Sequence, residues 1–213
     1  MSIVQPKVNQ DGTWHFFDGA LKTYYVSCTS QTFTLGQIFC AGNAHSGIGQ
    51  KSSATPPYHI HLYQTKTFDV KQGTLCYLID GKQGTSSQKV NIPPYRPHTF
   101  WSDPQSGQDL DFHITVSGGP NPGFDEDFVH NFYSYLSLRV MQGKSANPFQ
   151  MLRFLDDADV ILVPTIPFLG FFKAVGLLWP IGRIINIVFG RILGGWVLGY
   201  PTRYKQFDDQ LSK

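Results

Sequence analysis

The chain has 213 residues, of which 15% are aromatic and 15% charged, with a formal net charge of +2. That length suits one domain with an appendage, and the lack of any basic run argues against a nucleic-acid surface read by charge. Many aromatics among few charges imply a large apolar interior or an apolar cavity. Cys28, Cys40 and Cys76 are scattered without paired spacing, and residues 1–6 carry no charged-then-apolar leader. Both features predict reduced, buried thiols in a cytoplasmic protein.

Up to about residue 120 the chain alternates short apolar and polar steps between Gly, Pro, Asn, Asp and Ser clusters, the pattern of strands in a sandwich or barrel. Strands are expected over 22–27, 32–40, 57–63, 66–72, 75–79, 89–92, 98–101 and 110–116. Asp80-Gly81 signals a two-residue hairpin. The run 118–123 (Gly-Gly-Pro-Asn-Pro-Gly) breaks the pattern and marks the exit from the barrel. Residues 1–120 therefore form the expected barrel, and 124–213 a helical extension packing on the barrel, a sister subunit or a membrane surface.

Within the extension, Phe124, Phe128, Phe132, Leu136 and Val140 repeat every four residues behind Asp125, Glu126 and Asp127, which predicts a helix with acids at its positive end. Asn147-Pro148 caps and starts a second short helix reaching about Leu155. From 160 to 200 the chain is mostly apolar but broken by Pro164, Pro167, Pro180, Lys173, Arg183 and Arg191, too interrupted for a membrane span. Two readings of residues 180–198 stay open. One is an amphipathic helix covering the barrel or a second subunit. The other is a peripheral membrane contact with Trp179, Phe189 and Trp196 as anchors and Arg183 and Arg191 at headgroups.

The chemistry concentrates in Pro56-Pro57-Tyr58-His59-Ile60-His61, Lys66, Phe68, Gly73 and, after a proline-rich turn, His98. Alternation on a strand puts His59, His61 and Tyr63 on one side, and Lys66, Phe68 and Val70 on one side of the next. Two histidines on one strand and a third from a distant strand can build a three-nitrogen site. Residues 56–102 resemble a single-domain cupin, a small all-β jelly-roll barrel, on the spacing of His59, His61, Lys66, Phe68, Gly73, Pro93 and His98. The segments 128–136 and 198–204 resemble the parts that follow the barrel in filamentous-fungal cupins of natural-product pathways. The resemblance implies a metal held by two histidines, a glutamate and a third histidine. Here Lys66 stands in the glutamate's place, Tyr95 replaces a usual turn glycine and Ser102 a frequent asparagine.

An ammonium about 5 Å from a divalent ion costs roughly 6 kcal/mol at an effective dielectric of 20. Either Lys66 is neutral or the metal is dispensed with. The favoured expectation is a metal-independent enzyme, with no cofactor, in which Lys66, His59, His61 and His98 act on a hydrophobic polyketide- or terpenoid-like small molecule. The reaction would be a non-redox cyclisation, isomerisation (pericyclic closure included) or dehydration. The pocket would be lined by Tyr63, Gln64, Phe68, Tyr77, Phe100, Trp101 and His113. Two alternatives stand beside it. One is an oxygenase with a single divalent metal (Fe, Ni, Cu, Mn or Zn) on His59, His61 and His98; the other is a non-catalytic carrier. Cupin barrels often pair, so a homodimer is also open.

Overall fold

The computed structural model describes residues 12–118, 124–163 and 178–204. Two antiparallel sheets face each other. The first holds β1 (Trp14–Phe16), β2 (Leu21–Cys28), β3 (Thr32–Phe39), β5 (Thr65–Gln72), β8 (Lys89–Ile92) and β10 (Leu110–Ser117), in the spatial order β1-β2-β3-β10-β5-β8. The second holds β4 (His59–His61), β6 (Leu75–Ile79), β7 (Lys82–Ser86), β9 (His98–Ser102) and β11 (Val160–Leu162), ordered β11-β4-β9-β6-β7. From β3 onward the chain switches sheets at each step except the β6–β7 hairpin, the jelly-roll arrangement of a cupin barrel. The turn between β6 and β7 is the expected Asp80-Gly81, both at positive φ as a primed hairpin turn requires.

Alternation decides which side chains enter the barrel. On β10, Leu110, Phe112, Ile114 and Val116 are buried while Asp111, His113 and Thr115 lie on the other face. On the neighbouring β3, Phe39, Gln37, Leu35 and Phe33 pair with them in register on the same face, and Thr34 and Gly36 of that strand are buried as well. The aromatic centre of the core is Phe39, Phe68, Phe100 and Phe112, whose rings meet mostly edge-on or tilted at 4.7–6.2 Å between centroids.

Helix α1 (Glu126–Met141) begins where the acid-headed stripe predicts: the Asp125 carboxylate accepts from the Phe128 amide. Helix α2 (Pro148–Asp157) opens on Asn147, whose side chain accepts from the Phe149 and Gln150 amides. The extension also returns to the barrel, because β11 pairs antiparallel with β4 and opposes Val160 to His61 and Leu162 to His59.

The last elements are α3 (Leu178–Ile185) and a π-helical run, π1 (Asn186–Val197). Of the two readings of this segment, the one in which its apolar face covers the chain's own barrel is not what the structure shows; a second subunit and a membrane stay open as what that face meets. Gly190 and Gly194 abut the α2 backbone so closely that an added Cβ would stand 2.5 Å from Leu152 O and 3.0 Å from Phe149 O. The arginines, expected at headgroups, turn inward to Asp156. The large apolar side chains point outward instead. Cys76 is buried as expected, but Cys28 at the end of β2 is exposed and Cys40 half-buried.

His130 on α1 is fully buried against the rings of Trp14 and Phe16, with Nε2 3.3 Å from Thr23 Oγ1. Burial lowers its pKa to about 3. The unfolded chain therefore binds a proton below about pH 6.5 that the folded chain refuses, so stability falls as pH drops from 6.5 toward 3. Between pH 7 and pH 5 the wild type is expected to lose about 2 kcal/mol more than His130→Phe in urea unfolding. Equal losses would mean that His130 gains its proton without unfolding.

Candidate active site

Three histidines converge at one end of the barrel. His59 and His61 lie two apart on β4, and the register sets His98 of β9 directly opposite His59. All three are buried, at 5%, 2% and 1% exposure, so water does not hold their positions. One nitrogen from each falls within 4.8 Å of the others, and the His59 and His61 Nε2 atoms are 3.1 Å apart.

The chain fixes the tautomers of two of them. His59 Nδ1–H donates to the Pro57 carbonyl at 2.6 Å, and His98 Nδ1–H to the Arg96 carbonyl at 2.8 Å. Each Nε2 is thereby left with its lone pair, the arrangement found behind metal-bound imidazoles. His98 Nε2 and His61 Nδ1 are buried and have no hydrogen-bond partner among the described residues. Burial first, and then the neighbouring imidazoles and Lys66, hold His59 and His61 well below the usual imidazole range. Burial and then Lys66 take His98 to about 3. Three neutral, convergent nitrogens with an orphaned lone pair fit a first-row divalent metal.

Lys66 faces inward on β5, only 5% exposed, with its Nζ 5.0 Å from the Phe124 ring centre and 5.7 Å from that of Phe100. Lys66 therefore shares the interior with the histidines, as strand alternation predicts. Burial lowers its pKa to about 7, so near neutrality it exchanges between amine and ammonium. The neutral amine removes the repulsion that a fixed cation would exert on a metal, although it does not restore the anionic charge of a glutamate.

His59 and Lys66 also line a cavity that is partly open to solvent. Its other walls are apolar: Leu35 and Ile114 from the larger sheet, Phe124 ahead of α1, and Phe128 and Phe132 on it. Gln37 adds a buried amide whose Oε1 has no partner among the described residues. These wall residues are absent from the pocket expected from sequence. The four-residue aromatic repeat was the signal for them, but it read as a helix and not as a lid on the barrel.

The expected lining is corrected at several positions. Phe100 lines the cavity, whereas Phe68 lies behind it in the aromatic core. Tyr63 follows β4 at 42% exposure, beyond the point where strand alternation governs it. Gln64 is buried and donates to the Ala158 carbonyl. Tyr77 opposes Phe100 in register, but its ring lies over Gly84 on the edge strand. Trp101 alternates to the face opposite Phe100 and packs near Gly49. His113 is on the outer face of β10, where its Nε2 meets Tyr24 Oη at 3.2 Å while that hydroxyl donates to Asp111. Tyr95 does occupy a glycine-type position: its φ is +63°, and its amide donates to the His61 carbonyl at 2.9 Å, bracing β4.

No protein-family model matches the chain. It is 34% identical to "Oxidoreductase iacF" of Pestalotiopsis fici over 131 residues, covering 58% of this chain and 62% of that one. It is 29% identical to "Probable oxidoreductase virH" of Hypocrea virens over 156 residues, 71% and 67% of the two chains. "Epoxidase atD" of Aspergillus terreus is 26% identical over 71% of this chain and 46% of its own length. The matched part thus spans between about half and two thirds of these relatives. Among solved structures, KdgF from Halomonas sp. superposes with a TM-score of 0.38 at 16% identity, over 47% of this chain and 80% of that one. The Schizosaccharomyces pombe Cnp3 cupin domain gives 0.38 at 11% identity, over 46% and 65%. The strand order and the histidine placement give this chain a cupin barrel with a helical C-terminal part, similar in sequence to fungal proteins named for oxidation.

Proposed function

We propose that this chain is an oxidoreductase of fungal natural-product metabolism that transforms an apolar, oxygen-bearing small molecule in the barrel, using one divalent transition metal on His59, His61 and His98. The chief support is the convergence of three neutral imidazole nitrogens within 4.8 Å, two with tautomers set by backbone carbonyls. The names of the relatives favour redox chemistry over the metal-free, non-redox expectation. A bound ion would supply Lewis acidity or, for iron, copper or manganese, electron transfer. The chain's own residues do the rest. Phe100, Phe124, Phe128 and Phe132 exclude water and hold an apolar skeleton, while Lys66 and Gln37 present donors to its oxygen atoms. Lys66 near neutrality can also lend or take a proton at Nζ.

Elemental analysis of untagged protein grown with metals is expected to find about one transition metal per chain. His98→Ala should lower that by about tenfold or more while keeping the fold. Metal far below one per chain in both proteins would overturn this reading. It would favour a second one, cyclisation or isomerisation by Lys66 and His59, which has its own support in that both line the cavity directly. Substrate-dependent oxygen uptake separates the two further.

A further inference from the structure

We propose that α3 and π1 form a membrane-docking face that seats the protein on a lipid bilayer with the helix in the plane of the interface. The segment is amphipathic in the reverse sense from a helix on a soluble core. Its small and polar residues face the protein: Gly190 and Gly194 touch the α2 backbone, Asn186 donates to the Val160 carbonyl at 2.7 Å, and Arg183 and Arg191 are committed to Asp156. Its exposed residues from 179 to 198 are all large and apolar. Ile184 is 61% exposed, Phe189 43% and Trp196 76%. Together these side chains present an area on the order of 1,000 Å², above the few hundred that a soluble monomer ordinarily shows.

Charge and polarity favour a bilayer over a second copy. A protein–protein interface carries a polar rim and roughly one hydrogen bond per 100–200 Å². Among the exposed residues of the segment the donors are the indole N–H groups of Trp179 and Trp196, one near each end; the Arg191 side chain is also 41% exposed, but its guanidinium is paired with Asp156. Indoles bracketing an apolar helix suit the headgroup boundary, where the ring is buried and the N–H stays wet. Tyr95 extends the aromatic edge from the barrel side, its ring 5.7 Å from that of Trp179. No acidic residue occurs from 160 to 207, so this part of the chain brings no anion to repel lipid phosphates. The chain that joins this face at its start, residues 164–177, has Phe168, Phe171 and Phe172 with one charge, Lys173. Among the described residues no helix is long and apolar enough to cross a membrane, so the docking is interfacial.

The test is flotation of the full chain with phosphatidylcholine vesicles, with and without a minority of phosphatidylserine, read alongside tryptophan quenching by brominated lipid. The wild type should float with both vesicle types. Its quenching should come from Trp179 and Trp196, because Trp14 and Trp101 are each only 4% exposed. The double variant Ile184→Ser, Trp196→Ser should bind about tenfold more weakly with an unchanged melting midpoint. If that variant unfolds, wild-type quenching alone decides. Absence of both flotation and quenching in the wild type overturns the proposal, and a dimer that the two substitutions dissolve would then assign the face to a second copy. Neither result bears on the metal content of the histidine site.

Discussion

Lys66→Met is expected to stabilise the protein by on the order of 4 kcal/mol at pH 7 and to lower its turnover by about a hundredfold. The two effects share one cause. Lys66 is held in the fold with a pKa of about 7 because burial among Phe100 and Phe124 disfavours its charge. In the unfolded chain its pKa returns to about 10.4. Between these values the unfolded state binds the proton and the folded state does not, so stability rises with pH from about 7 upward. Below 7 the folded protein carries the full penalty of a buried ammonium. Methionine keeps the length and removes the charge, so the slope between pH 7 and pH 9 should vanish in the variant. Readings stop near pH 9 because burial raises the Tyr24 and Tyr133 pKa values, which makes alkaline pH destabilising by a separate route. Urea titrations of both proteins at pH 7, 8 and 9 measure the difference. Parallel slopes would sink the idea, since they would mean that the amine reaches water. A stabilising substitution that impairs turnover is the mark of a group kept for chemistry and not for packing.

Much of this site is legible in the sequence. Strand alternation alone placed His59 with His61, and the spacing to His98 matched a barrel in which β4 and β9 are neighbours. The strands at 75–79 and 89–92 were found with their observed limits, because apolar and turn residues bracket them sharply. Three strands were not foreseen. β7 reads Lys-Gln-Gly-Thr-Ser, a polar edge strand without an apolar face to announce it. β1 has three residues, too few for a period. β11 looks like part of a long apolar run, and its partner β4 lies about a hundred residues earlier, a pairing that no local pattern encodes. The same non-locality hid the cavity wall. Phe128 and Phe132 announce a helix by their spacing, but only the return of the chain over the barrel makes them part of the pocket. The tail is harder to read for a different reason: its hydrophobic stripe gives a face but not the direction in which that face points.

The direction is set by Asp156, and Asp156→Asn is expected to cost about 2–3 kcal/mol and to loosen α3 and π1 from the rest of the molecule. This carboxylate is 1% exposed and sits at the end of α2. Arg191 Nε meets Oδ2 at 2.8 Å, Arg183 reaches Oδ1 at 3.4 Å and Arg153 reaches Oδ2 at 3.6 Å. Arg183 also bridges to Asp159 at 3.2 Å, so one acid can be lost without freeing that guanidinium entirely. Arg191 has no such second ion pair among the described residues. Asparagine preserves the shape but removes the charge, leaving three half-buried guanidinium groups around a neutral buried amide with too little counter-charge. That loss exceeds what a fully exposed ion pair contributes, roughly 0–1 kcal/mol, because the carboxylate is buried, and it falls short of a fully buried pair because water reaches the arginines. Thermal melts should show the loss, and limited proteolysis should cut near π1 faster in the variant than in the wild type. A change under about 0.5 kcal/mol with unaltered cleavage would show that the glycine contacts of Gly190 and Gly194 hold the segment alone. The double variant Asp156→Asn, Arg191→Gln should recover part of the loss, since it removes the cation that the single variant strands. The inward turn of the arginines and the outward turn of the apolar side chains are then linked: the buried acid draws the polar face inward, with Gly190, Gly194 and Asn186 beside it, and the large apolar side chains are left outside.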